Sequence, residues 1–266
     1  MKVAVIGMGF VGGTIHNAIK NLHEEITLSA IDPAKGYNET YSNIVNYDAV
    51  FVCVPSPQSA DGSADTSILR QVLAKLKEVD FKGVIISKVT APPSVYNELQ
   101  QTYSNLVHAP EFLTAANAYS DYITGKFAII GGGSEEHRRQ AEIIIKISQP
   151  YITDVTHCSI AEASFAKYLI NSFLATKVVF MNEMAALAMA GGLNWQNITR
   201  AINLDSRTGR SHTQVPGPDG QYGFGGMCFP KDTAALLKYA ESLNVDLGIL
   251  TNAVTKNHQL RLTNTD

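Results

Sequence analysis

Cysteine is scarce in this sequence, with three residues in 266. Cys53, Cys158 and Cys228 are odd in number and widely spaced, which excludes a disulfide framework and a CxxC metal site. No metal centre is therefore expected, and a reducing cytoplasm is the expected location. An excess of either charge is also lacking: 21 Lys and Arg stand against 24 Asp and Glu, a formal net charge of −3. Such a chain has no general attraction for nucleic acid or an anionic membrane, so neither is an expected partner. Met1 to Gly13 is apolar but broken by four glycines, without the long apolar run or cleavage site of a signal peptide. No segment is expected to form an uninterrupted membrane span. Internal repeats and low-complexity tracts are missing as well.

What is present is a succession of short apolar runs: Val3 to Ile6, Ile26 to Ile31, Ala49 to Val54, Val84 to Ser87, Leu106 to His108 and Phe127 to Ile130. Short continuous apolar runs suit strands covered on both faces. Helical stretches lie between them, such as Thr66 to Val79, where Ile68, Val72, Leu73 and Leu76 recur at helical spacing and Asp65 stands ready to cap. Beyond Tyr151 the texture changes. Ile160 to Ala190 has no proline or glycine and ends at Gly191 and Gly192, which predicts one long helix, apolar over most of its circumference. A second helix is expected over Trp195 to Asn203, then a Gly/Pro-rich loop from Thr208 to Gly226, then a helix begun by Pro230 and running through Leu243. The expected class is α/β: a Rossmann-type doubly wound parallel sheet over residues 1–155, followed over 156–266 by the long helix and a small all-helical domain.

Gly7-Met8-Gly9-Phe10-Val11-Gly12 follows the first strand and opens a helix. Glycines there allow a tight turn, close approach of backbone to a pyrophosphate and close helix packing, while the helix N-terminus attracts phosphate. Asp32 ends the next strand, where a carboxylate can accept both ribose hydroxyl protons of NAD and repel the extra phosphate of NADP. Binding of FAD is the rival at this point, and a plain tight turn is the bland reading. Val54 and Pro55 end the strand begun at Ala49, at the cofactor edge of such a sheet. Cys53, inside that apolar run, reads as a small core residue.

Lys167 and Asn171 are four apart on the long helix and so share a face. A lysine there can donate to a developing alkoxide, or act as a base if desolvated, and the amide can hold the same oxygen. Alone, the pair reads more simply as a snorkelling lysine and a surface amide. The run Gly223-Phe-Gly-Gly-Met-Cys228-Phe-Pro230-Lys-Asp232 changes that balance. Its glycines let backbone approach a ligand, and Cys228 precedes a helix start, where a thiolate is favoured and can be nucleophilic.

Together these residues resemble the UDP-glucose/GDP-mannose dehydrogenase family. The likeness runs through Gly7 to Gly12, Val52 to Pro57, Asp61 to Asp65, Ala109-Pro-Glu111-Phe-Leu113, Ala161 to Asn171, Asn182-Glu183, Asp205-Ser-Arg207 and Gly223 to Asp232. It implies a nucleotide-sugar 6-dehydrogenase of the UDP-glucose 6-dehydrogenase type. Such an enzyme uses NAD to oxidise a C6 alcohol twice, to a carboxylate, through a cysteine thiohemiacetal and thioester. By resemblance Glu111, Lys167, Asn171, Cys228 and Asp232 take the catalytic positions. Gly7, Gly9, Phe10, Val11, Gly12, Asp32, Val54, Pro55 and Thr90 bind the cofactor. Phe112, Leu113 and Gly225 bind substrate, as does Arg207, which reaches the phosphates held by a second copy in a homodimer built on the long helix. The sequence departs from the family at Ala115, where a second glutamate is common, at Ser56, where threonine is common, and in the longer loop Pro216 to Tyr222. It also stops at Asp266, near where the family's second Rossmann-like domain is expected to begin. Two other readings stay open: a β-hydroxyacid dehydrogenase, which needs Lys167 and Asn171 but no cysteine, and a non-catalytic NAD-binding remnant.

Overall fold

The computed structural model describes residues 1–114 and 117–262. The chain divides into two compact units, one of residues 1–59 and 64–167, the other of residues 60–63 with everything from Tyr168 onward.

The first unit is built on β1 (Lys2–Ile6), β2 (Thr27–Asp32), β3 (Tyr37–Asn38), β4 (Ala49–Val52), β5 (Val84–Ser87), β6 (Leu106–His108), β7 (Phe127–Gly132) and β8 (Asp154–Cys158). They form one eight-stranded sheet in the order β3-β2-β1-β4-β5-β6-β7-β8. The strands from β2 across to β6 are parallel, β3 and β7 pair antiparallel to their inner neighbours, and β8 is parallel to β7. Order reverses between β1 and β4, the switch point at whose carboxyl edge ligands of such sheets sit. The expected doubly wound sheet is present, and the antiparallel joint at β7 is an addition to it.

Two apolar layers flank the sheet. Val3, Val5, Phe51 and Ile86 face Ile15 and Ile19 of α1 (Phe10–Leu22) and Ile144 and Ile145 of a helix over Glu135–Ser148. Ala4, Ile6, Val50, Val52 and Ile85 face Leu69, Leu73 and Leu76 of α2 (Ser67–Glu78). The alternation follows from the period-two geometry of a strand, and each such buried side chain contributes about 1.5–3 kcal/mol. Asp65 lies one position before the N-cap of α2, Thr66. Its carboxylate still accepts the Ser67 N–H at 2.8 Å, so it serves the helix start from outside.

The long helix, α3, spans Ile160–Ala190 as expected, and its first eight residues belong to the first unit. The second unit continues it with α4 (Trp195–Ile202), α5 (Phe229–Ser242) and α6 (Gly248–Leu262). Ala175 and Val179 pack with Phe224 and Ala253, and further along Met181, Ala185 and Ala188 pack with Trp195. By length and composition α3 also meets the criteria for a membrane span, with a mean hydropathy of 1.4 over its most apolar window. The expectation that no segment would reach that level is corrected by this helix, which is apolar around most of its circumference. Leu169, Phe173, Phe180 and Leu187 remain exposed along one face.

Candidate active site

In the first unit, the residues singled out by sequence gather at the carboxyl ends of β1, β4, β5 and β6. Gly7 has φ +89°, and an added Cβ would lie 2.9 Å from the carbonyl of Cys53. A Cβ on Gly12 would lie 1.9 Å from the Gly7 oxygen. These two glycines are required by the fold itself. Gly9 is different: it is the N-cap of α1, and a Cβ there would meet nothing within 4 Å. No side chain caps α1 and its first turn carries no acid, so the helix presents a bare N-terminus beside open space. Asp32 ends β2, and its Oδ2 accepts the Met8 N–H at 2.8 Å while Lys35 Nζ donates to the Met8 carbonyl at 2.8 Å. Phe10 is exposed and Val11 half-buried on the first turn of α1. Val54 and Pro55 follow β4, and half-buried Thr90 follows β5, its carbonyl accepting the Ser56 hydroxyl at 2.7 Å. An uncapped glycine turn with a carboxylate at the neighbouring strand end fits a dinucleotide.

Beside this edge lies a buried polar cluster. Glu111, just past β6, forms an ion pair with Lys88 at 3.3 Å; the two side chains are 10% and 3% exposed. Glu111 Oε1 accepts the Phe112 N–H at 3.0 Å, and its backbone carbonyl accepts from Lys167 Nζ. That ammonium also sits over the Phe112 ring, 4.9 Å from its centroid. Leu113 packs half-buried against the apolar layer. Lys167 is therefore buried rather than a snorkelling surface lysine. His108 Nδ1 donates to the Ser87 carbonyl, 3.0 Å away, and burial, reinforced by Lys88 and Lys167, pushes its pKa down to about 3. Burial pushes the Cys53 thiol up to about 12, which keeps it inert.

The second unit holds the rest. Cys228 is the N-cap of α5, with an exposed side chain, and Pro230 follows in the first turn. Asp232, one turn on, is buried, and both its oxygens are filled: Asn171 Nδ2 donates to Oδ2 at 2.5 Å and Lys231 Nζ to Oδ1 at 2.6 Å. Asn171 is likewise buried, not a surface amide. The glycine run before Cys228 is tied down by Asn182, part of the family likeness, and by Asn257 and Arg261, which the sequence reading missed. Asn182 Oδ1 accepts from Gly223 N at 3.0 Å, Asn257 exchanges hydrogen bonds with both backbone groups of Phe224, and Arg261 donates to the Phe224 carbonyl at 3.0 Å. Gly225 is half-buried beneath the Arg261 guanidinium. Arg207 is 87% exposed and pairs with Asp205 at 2.6 Å. Ala115 lies outside the described residues.

The chain matches two models of one family: the UDP-glucose/GDP-mannose dehydrogenase family, NAD binding domain, over residues 35–150, and the central domain of the same family over residues 161–259. A UDP-glucose 6-dehydrogenase of Rickettsia conorii is 32% identical over 97% of this chain and 67% of its own length. Among solved structures, a UDP-glucose dehydrogenase from Pyrobaculum islandicum superposes with TM-score 0.82 at 24% identity, over 97% of this chain and 68% of that one. A 3-hydroxyisobutyrate dehydrogenase of Mycobacterium tuberculosis has TM-score 0.76 at 16% identity, over 97% of this chain and 92% of that one. The fold is thus shared by both. The chain spans about half to two thirds of the length of the curated relatives it matches.

Proposed function

This chain belongs to the UDP-glucose/GDP-mannose dehydrogenase family, and on that premise we propose that it carries the NAD-binding and covalent-chemistry parts of a nucleotide-sugar 6-dehydrogenase. The observation that carries this reading is the exposed Cys228 at the N-cap of α5, one turn before a buried, doubly hydrogen-bonded Asp232. A single-hydride dehydrogenase has no use for a thiol there, which favours the two-step chemistry over the β-hydroxyacid alternative.

The dinucleotide is held by the glycine turn of Gly7, Gly9 and Gly12 and by Asp32, whose charge favours NAD over NADP. When bound it supplies the hydride acceptor for both oxidations. Lys167 and Asn171 hold the C6 oxygen as the alcohol gives its proton to water in the first oxidation. The Cys228 thiolate then adds to the aldehyde carbon, whose oxygen takes up a proton to give a thiohemiacetal. Oxidation of that adduct leaves a thioester on Cys228. Water breaks the carbon–sulfur bond, releasing the carboxylate and the thiol. With both Asp232 oxygens engaged, Glu111 is the carboxylate available to take the water's proton, while Asp232 keeps Asn171 in place.

A homodimer goes with this reading. Leu169, Phe173, Phe180 and Leu187 recur at spacings that place them on one face of α3, and all are exposed. A second copy covers such a face, and exposed Arg207 then serves its partner's substrate phosphates. A cytoplasmic location follows from the same assignment, since nucleotide sugars are its substrates. The deciding experiment counts NADH per mole of UDP-glucose, related nucleotide sugars and small hydroxy acids. Two per mole with acid as product supports the proposal. One per mole moves the protein to the single-hydride class, and none makes it a binding protein.

A further inference from the structure

We propose that Lys88 is a positioning residue for Glu111, holding its carboxylate aimed while leaving one oxygen free to accept a proton. The proposal rests on the covalent reading and deepens its last step, thioester hydrolysis.

Lys88 follows β5 directly, and its backbone N–H is fixed on the Val52 carbonyl at 2.9 Å. Its ammonium reaches across to Glu111 beyond β6, because β5 and β6 are paired with Ser87 opposite His108. Both side chains are almost wholly out of water. A carboxylate so buried is poorly solvated, and without a cation beside it nothing holds it in this position.

The manner of pairing matters as much as the charge. Glu111 Oε1 is occupied by the Phe112 N–H, which fixes the carboxylate plane. Oε2 lies 3.3 Å from Lys88 but receives no aligned hydrogen bond. The cation therefore holds Oε2 by charge without consuming its lone pairs. Asp232 shows the contrasting arrangement, with a donor on each oxygen.

The neighbours fit the same division of work. Lys167 fixes the Glu111 peptide from α3 through the backbone carbonyl. His108 is kept neutral and so adds no third positive charge. The Cys53 thiol and the Tyr122 hydroxyl, which also face Glu111, are both kept protonated by burial.

The test uses the full chain with NAD and UDP-glucose, comparing wild type, Lys88→Gln, Glu111→Gln and the double variant. Rapid quench gives the first NADH, intact-protein mass gives the acyl adduct on Cys228, and acid release gives hydrolysis. Lys88→Gln is expected to form the first NADH within about threefold of wild type, to bind NAD within about twofold, and to slow acid release by about tenfold or more while the acyl adduct accumulates. In the Glu111→Gln background, adding Lys88→Gln is expected to change hydrolysis by less than about twofold, because a residue acting through Glu111 has nothing left to act on. That double variant also removes the unpaired charge, so it keeps the test available if Lys88→Gln alone does not fold. Wild-type hydrolysis in Lys88→Gln, equal loss of both oxidations together with NAD affinity, or a further large loss in the double variant overturns the proposal. If Glu111→Gln itself hydrolyses normally and no variant forms an adduct, the covalent reading fails and takes the proposal with it. If Glu111→Gln accumulates adduct but Lys88→Gln does not, only the role of Lys88 is lost.

Discussion

Asn171 donates its side-chain amide to Asp232 Oδ2 at 2.5 Å, with both residues buried in the second unit. Removing the amide leaves a buried carboxylate oxygen without a donor, which costs about 1.5–3 kcal/mol for a charged acceptor. Asn171→Ala is therefore expected to be destabilising by that amount. Asp232→Asn removes the charge that Lys231 and Asn171 compensate, and the two substitutions share one interaction. Urea denaturation of both single variants and the double variant is expected to show a coupling of about 1 kcal/mol or more. Additive effects would mean that the short contact contributes nothing of its own.

The glycines of the first turn separate fold from ligand. A methyl on Gly12 runs into the Gly7 carbonyl and the Cys53 side chain, so Gly12→Ala is expected to lose about 3 kcal/mol of stability or more. Gly9 has open space and φ −73°, ψ −158°, which alanine adopts without strain. Gly9→Ala is expected to keep stability within about 1 kcal/mol while weakening NAD binding at least tenfold, because the methyl occupies the approach to the helix N-terminus. Calorimetric titration with NAD beside a thermal melt reads both quantities. An unchanged NAD affinity in Gly9→Ala would place the pyrophosphate elsewhere.

Much of this architecture is legible in the sequence because it depends on local patterns. The unbroken apolar runs of Val3–Ile6 and β4 and the proline- and glycine-free stretch of α3 are local signals of these elements. The edge strand β8 was not legible: Asp-Val-Thr-His-Cys has no apolar alternation, since most of it is exposed and it is held by backbone pairing to β7. The reversal at β7 is equally silent, because pairing direction is set by what lies between strands rather than by their residues. In the site, Cys228 and Asp232 announce themselves by spacing. The Lys88–Glu111 pair does not, since 23 positions separate its members and only the adjacency of β5 and β6 brings them together. The Asn257 and Arg261 anchors on the glycine run are hidden for the same reason.

Burial holds His108 neutral, which ties stability to pH. Its folded pKa, about 3, lies below the ordinary value of 6.5, so between those limits the unfolded chain binds the extra proton. Stability from this group is thus fully present above about pH 6.5 and falls as the solution is acidified toward pH 3, by up to about 1.4 kcal/mol per pH unit. His108→Gln is expected to remove that part of the slope between pH 6 and about 4, measured as the difference between wild-type and variant chemical denaturation curves. Parallel pH dependences for the two proteins would show that His108 titrates normally.

The proposed chemistry turns on Cys228. Its side chain is exposed at the N-cap of a fourteen-residue helix. On the proposed mechanism its substitution is expected to spare the first oxidation, assigned to Lys167, Asn171 and the bound dinucleotide, and to remove the second, since an aldehyde without a thiol adduct has no low-barrier route to the acyl level. Cys228→Ala is expected to release one NADH slowly per mole of UDP-glucose and to lose acid formation at least about a hundredfold, with NAD affinity unchanged. Lys167→Ala is expected to impair both oxidations, because the oxygen it is proposed to hold is present at each. Cys228→Ser separates nucleophilicity from shape: a hydroxyl of nearly the same size fills the position but ionises poorly at neutral pH, so an aldehyde-level or ester-linked species should be trapped and visible as added mass on the intact protein. The measurements are NADH counts for each variant and mass spectrometry after rapid mixing with NAD and UDP-glucose. If Cys228→Ala makes acid with two NADH at near wild-type rate, covalent catalysis is wrong, and the single-hydride class sharing this fold becomes the better assignment.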